Sequence, residues 1–282
     1  MTVPAAPCRL AVFLSRKARV GVILRRGPSK WVQMIHWDRA SDAFTPGQWF
    51  HGRVYERRCD LSPDGRLFIY FAAKYGSNRN DKESIGETWT AISRPPYFTA
   101  LALWPNLGAW YGGGVFPSDN EVLLDVTCTA DPHPTFKTHG LKIGHVDAAS
   151  APWEQRILRD RWQLIERGFD PRTHRRIGAR EVWAKPHPER PTTLRREIED
   201  VDFSRYGGPY AESYWLETGD DLIPIAGATW VDWDDWDRLV FVRDGILFRA
   251  SLHGSVIREA PLFDFNPLRP EEVATPDWAT RW

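Results

Sequence analysis

The chain has 282 residues, 42% hydrophobic and 26% charged, with 37 Lys or Arg against 37 Asp or Glu. This globular composition excludes a disordered chain, and the neutral balance provides no whole-protein field to attract nucleic acid, an anionic membrane or an acidic substrate. Fifteen tryptophans, with 14 Phe, 8 Tyr and only two Met, suit pleated surfaces on which large flat rings pack well.

Taken in chain order, the first residues carry an apolar run only over Leu10–Leu14, preceded by prolines rather than basic residues, so no secretory signal is expected. No segment approaches the roughly 18 apolar residues of a membrane span. Cys8, Cys59 and Cys128 are odd in number and widely spaced, which argues against a disulfide framework or a zinc ribbon. The expectation is a cytoplasmic protein in a reducing compartment, with no membrane partner, no metal and no cofactor.

A short theme then recurs: a turn-forming residue, Arg or Glu, Leu or Val, and an apolar strand-like run. It appears as CRLAVFL at Cys8–Leu14, GRLFIYF at Gly65–Phe71, NEVLLDV at Asn120–Val126, REVWA at Arg180–Ala184 and DRLVFV at Asp237–Val242. Its markers Arg9, Arg66, Glu121, Glu181 and Arg238 are separated by 57, 55, 60 and 57 residues, so five units fill residues 1–282 as one domain. Three markers follow turn signals, at Ser62–Gly65, Pro117–Asn120 and Asp234–Asp237. Further strands are predicted at Lys30–Trp37, Thr88–Ser93, Tyr97–Trp104, Leu141–Val146, Trp162–Glu166 and Ile246–Leu252, meandering and antiparallel. The best helix candidate is Trp153–Arg167, with Trp153, Ile157, Leu158, Trp162 and Ile165 on one possible face.

The predicted fold is therefore all-β, a five-bladed β-propeller closed by its N- and C-terminal segments. The first unit has only eight residues before Arg9, so Arg258–Phe265 is expected to pair beside Arg9–Leu14 and supply a missing strand. The tail Pro276–Trp282 would cover one face with its two tryptophans. The hexapeptide SPDGRL, followed by an apolar strand, resembles the repeat turn of WD40 and TolB-type propellers. That resemblance implies a fold and no particular function.

Candidate sites begin with aromatic residues beside glycine: Trp49-Phe50-His51-Gly52, Trp110-Tyr111-Gly112-Gly113 and a weaker echo at Tyr206-Gly207-Gly208. Such segments could form an open ledge for a ring, sugar or peptide, or could simply pack between blades. Trp49, His51, Trp110, Tyr111 and Tyr206 are the expected binding residues. Some sugar-cleaving enzymes resemble this five-bladed plan and need two carboxylates about 5–10 Å apart, so Asp38, Asp60, Asp125 and Glu181 are weighed as candidates against turn or solvated positions. Asp232–Asp237 is acidic enough to suggest a calcium loop but lacks the EF-hand Gly and Glu. His133, His139, His145 and His187 form no HxH or HxxxH pair and read as loop histidines.

Charge is polarised locally. Arg156–Arg196 holds twelve Lys or Arg against five acids, and Glu199–Asp237 eleven acids against one Arg. The two stretches either compensate one another across a blade interface or expose a bipolar surface to a partner. No catalytic motif accompanies the repeats. The leading expectation is thus a non-enzymatic scaffold that binds a protein or peptide through one propeller face. The alternative is a glycan-binding or glycoside-cleaving propeller, while nucleic-acid contact through Arg156–Arg196 is the weakest reading.

Overall fold

A computed structural model describes residues 6–27, 30–76, 85–125, 131–147, 151–168, 180–200, 210–234, 238–253 and 256–282. Sheet 1 contains β1 (Arg9–Leu14), β2 (Val20–Arg26), β3 (Trp31–Asp38) and β4 (Ala43–His51). In sheet 2, β5 (Arg53–Val54) and β6 (Asp60–Leu61), separated by a 3-10 turn at Glu56–Arg58, both pair with β7 (Phe68–Ala73). β8 (Thr88–Ser93) and β9 (Ala100–Asn106) complete it. Sheet 3 holds β10 (Gly114–Ser118), β11 (Glu121–Leu124) and β12 (Lys142–His145). After α1 (Pro152–Arg159), sheet 4 runs through β13 (Gln163–Arg167), β14 (Arg180–Pro186), β15 (Thr192–Asp200), β16 (Tyr210–Thr218) and β17 (Asp221–Pro224). Sheet 5 comprises β18 (Trp230–Trp233), β19 (Leu239–Arg243), β20 (Ile246–His253) and β21 (Val256–Asp264). The fold is all-β, and the five sheets are the blades of a five-bladed β-propeller.

The chain divides into two compact units. Unit 1 spans Met1–Ile157 and Pro267–Trp282, with sheets 1–3; unit 2 spans Leu158–Asn266, with sheets 4 and 5. Within unit 1, sheet 2 is covered on both faces: every residue of β7 and β8 is buried. Successive strand residues point to opposite faces, so alternate positions meet different neighbours. Phe68, Tyr70, Ala72 and Ala91 pack with Phe13, Leu24 and Met34 of sheet 1. Ile69, Ile92, Ala102 and Trp104 pack with Phe116, Val122 and Leu124 of sheet 3. Each such large side chain contributes roughly 1.5–3 kcal/mol by leaving water, so this sandwich dominates the stability of unit 1.

Several sequence expectations change. β1 pairs with β2, and Arg258–Asp264 lies in β21, which pairs with β20 (Ser251 opposite Arg258, Leu247 opposite Phe263). Among the described residues no C-terminal strand joins β1. The physical reason is local: β20 and β21 form a hairpin across a short connection, at far lower loop-closure cost than a pairing across the chain. Sheet 1 also lacks no strand. Arg9 lies on its first strand, whereas Arg66, Glu121, Glu181 and Arg238 lie on or immediately before the second strands of their sheets, so the first marker is out of phase with the others.

β11 and β12 are parallel rather than antiparallel. The connection from Leu124 to Lys142 is long enough for the return that a parallel pair requires. The helix candidate divides: α1 ends at Arg159, Arg161 takes φ +71° in a turn, and β13 begins at Gln163. The C-terminal segment returns to unit 1 without joining a sheet.

The buried Arg39 organises the β1–β2 connection, donating to Ser15 O (2.6 Å), Ala18 O (2.7 Å) and Val20 O (3.0 Å). One guanidinium therefore serves three carbonyls, of which Val20 O also accepts Ser15 N–H at 3.0 Å. Arg39→Met, similar in length but without donors, is expected to lose about 3 kcal/mol in a urea melt, the cost of leaving buried acceptors unsatisfied. A loss below about 1 kcal/mol would contradict this role.

Candidate functional site

The two aromatic motifs of unit 1 have different surroundings. On β4, Phe50 points into the core against Trp89 and Phe98, with ring centroids 5.9 and 5.7 Å apart. Trp49 and His51 share the opposite face, where both meet Trp31, Trp49 edge-on at 6.5 Å and His51 at 4.7 Å. The Arg25 guanidinium lies 5.2 Å from the Trp49 ring. Trp49 is half-buried, and its indole N–H has no hydrogen-bond partner among the described residues.

Trp110 and Tyr111 lie on the connection from β9 to β10 and project into solvent, 85% and 55% exposed. Leu107, at the start of the same loop, is fully exposed. The loop backbone is nevertheless tethered. Thr88 Oγ1 donates to Asn106 O (2.9 Å) and Gly108 O (3.0 Å), the Arg58 guanidinium to Ala109 O (2.8 Å), and Gly113 N–H to Thr90 Oγ1 (2.7 Å). Thr88 and Thr90 belong to the fully buried β8, so its polar side chains hold the loop. Such tethering reduces the ordering cost when a partner covers the exposed side chains.

The glycines do not open the backbone to a ligand. A Cβ on Gly112 would stand 2.4 Å from the Phe71 ring, one on Gly113 2.1 Å from Arg58 O, and one on Gly52 2.4 Å from the Phe50 ring. Protein fills the space that each glycine leaves. Tyr206 lies outside the described residues, as do Cys128 and the last three residues, 235–237, of the acidic Asp232–Asp237 loop.

Three of the four candidate carboxylates accept structural hydrogen bonds. Asp60, buried, accepts Phe116 N–H at 2.7 Å, linking β6 to β10. Glu181 accepts from Arg167 (2.9 Å) and Trp183 Nε1 (3.0 Å). Asp38 caps its turn through Ser41 Oγ and Ala40 N–H, and those bonds hold its carboxyl below the usual range. Asp125 is buried, with its backbone N–H donating to Gly113 O. Among the described residues no three His, Cys, Asp or Glu side chains are grouped to hold a metal ion.

In unit 2 the polarised charges meet one another. Arg196 pairs with Glu212 (2.9 Å) and Arg180 with Glu197 (2.5 Å), while Lys185 reaches Asp232 (2.5 Å) from sheet 4 to sheet 5. Asp234 takes Arg238 Nε at 2.6 Å. Compensation therefore operates largely within sheet 4, as well as across its interface with sheet 5. A crevice of about 30 Å3 between these sheets, lined by Thr192, Leu216, Trp233 and Leu252, has room for water rather than substrate.

The sequence singles out Trp110 and Tyr111, which are exposed on this loop, but not Leu107, which shares it, nor Arg58, Thr88 and Thr90, which tether it. An apolar residue between Asn106 and Gly108, in an otherwise turn-forming stretch, was the available signal for Leu107.

The tethered loop sets an asymmetric expectation. Gly113→Ala, strained at φ +85° and blocked by Arg58 O, is expected to cost about 2–4 kcal/mol, whereas Trp110→Ala stays within about 0.5 kcal/mol of the parent. Thermal melts of both variants check this, and equal losses would contradict it. Among the described residues no helix is long and apolar enough to cross a membrane. No protein-family model and no curated protein matches the chain, so its likeness to other propellers is one of fold.

Proposed function

We propose that the protein is a non-enzymatic interaction scaffold that binds a protein or peptide through the Leu107–Tyr111 surface of unit 1. The observation carrying this reading is one loop that exposes Leu107, Trp110 and Tyr111 while its backbone is fixed by buried Thr88, Thr90 and the Arg58 guanidinium. Exposing three large apolar groups has no folding benefit, and rigid aromatic anchors are what protein interfaces use. Trp49 and His51 provide a secondary surface beside Trp31. The unbridged, buried Cys59 thiol is compatible with a cytoplasmic setting.

A glycan ligand is the second reading, favoured specifically by the exposure of Trp110 and Tyr111, whose ring faces could stack on a sugar. Glycoside cleavage has less support because Asp38, Asp60 and Glu181 are engaged in structural hydrogen bonds.

Affinity capture with the parent and with W110A/Y111A tests the main reading. The expected result is that partners retained by the parent bind the variant about 30-fold more weakly, the effect of removing hot-spot aromatics. Identical capture profiles would count against this surface, and selective retention on a glycan array would favour the second reading.

A further inference from the structure

The C-terminal segment lies on unit 1 as a bound peptide would, with side chains rather than a strand ladder holding it. Gln48 Nε2 donates to Val273 O (3.2 Å) and Thr275 Oγ1 (2.6 Å). Thr99 and Thr275 hydroxyls meet at 2.6 Å, Arg94 Nε donates to Arg281 O (2.8 Å), and Tyr97 lies edge-on to Trp278 at 5.5 Å. Trp282 packs on the cluster formed by Ile69, Trp104 and Phe116, beside Leu141 and Ile143.

The receiving side is organised by bonds that do not involve the tail. Gln48 Oε1 accepts Phe98 N–H (2.8 Å), which fixes the amide that reads the tail, and Gln48 N–H donates to Pro96 O (3.0 Å). Gly47 permits this approach, since a Cβ there would stand 2.0 Å from Pro96 O. The tail reaches Pro276 in the polyproline II region, at φ −72° and ψ 155°, and then turns through a 3-10 helix at Asp277–Thr280 that carries Trp278. An entry stretch preset by proline is of the kind recognised by grooves that combine an aromatic wall with carbonyl-reading side chains. Trp278 remains 56% exposed, so part of the bound segment is still open to solvent.

We propose that this surface is a peptide-binding groove now occupied in cis by Val273–Trp282, and that it accepts in trans a peptide of the same chemistry. That chemistry is a hydroxyl residue followed by an extended proline, then Asp-Trp in a 3-10 turn, and a second tryptophan four residues further on. A tethered competitor acts at an effective concentration in the millimolar range, so the cis tail masks the groove from weaker ligands. The groove is separate from the Leu107–Tyr111 loop.

The test uses the 282-residue chain and a fluorescein-labelled peptide of residues 270–282, with binding read by anisotropy. W278A/W282A, which weakens the cis tail, is expected to bind the peptide at least about tenfold more tightly than the parent, and adding Q48A to reverse most of that gain. Thr275→Val, a milder change, is expected to give a smaller gain of about threefold. W110A/Y111A is expected to bind the peptide as the parent does, so failure of the loop interface and failure of the groove are distinguishable. Equal affinity for the parent and both tail variants, or no binding to any of them, would overturn the proposal. Unfolding of both tail variants would overturn it too, by making the segment an integral part of the core.

Discussion

Burial of sheet 2 on both faces is the constraint on which unit 1 depends. A half-buried antiparallel sheet alternates apolar and polar residues, but β7 and β8 have no solvent face to satisfy. Both residue sets must be compatible with an interior. Phe68, Tyr70 and Ala72 fill one side, while Ile69 and Ile92 fill the other. Sheets 1 and 3 are therefore required partners, since neither face of sheet 2 can be hydrated cheaply. The same requirement explains the wealth of aromatic residues, which cover large areas with few rotatable bonds.

That constraint also determines where recognition chemistry can lie. Polar groups inside a doubly covered sheet must find protein partners. Thr88 and Thr90 find theirs in the backbone of the β9–β10 connection, and Asp60 finds Phe116 N–H. The interior thus fixes the loop, and the loop presents Leu107, Trp110 and Tyr111 outward. Gln48 plays a comparable part at the tail groove, joined on one side to Phe98 and on the other to Val273 and Thr275. In unit 2, Lys185–Asp232 and Arg196–Glu212 absorb charges that look polarised along the chain.

What was legible in the sequence was local. The run TWTAIS matches β8 over Thr88–Ser93, and SPDGRL forms the turn before β7, with Gly65 at φ +75° and Asp64 accepting Arg66 N–H. The five-bladed fold followed from repeating such signals. Phase was not legible, because an Arg-apolar-strand theme marks the first strand of sheet 1 as readily as the second strand elsewhere. The parallel β11–β12 pair and the β20–β21 hairpin were hidden for a related reason: strand pattern specifies faces, while partner choice depends on connections. Trp110 and Tyr111 could be identified as candidates, but not their exposure. Gly112 and Gly113 suggested ligand access, whereas close approach of Phe71 and Arg58 accounts for them.

The most direct measurement is hydrogen exchange over the 282-residue chain at amide resolution. A sheet enclosed on both faces should open only when unit 1 itself unfolds, so the slowest-exchanging amides of unit 1 are expected in β7 and β8, with faster exchange along β4 and β12. Exchange in Phe68–Ala73 and Thr88–Ser93 as fast as in β4 would contradict the enclosed sheet and, with it, the rigid support assigned to the loop.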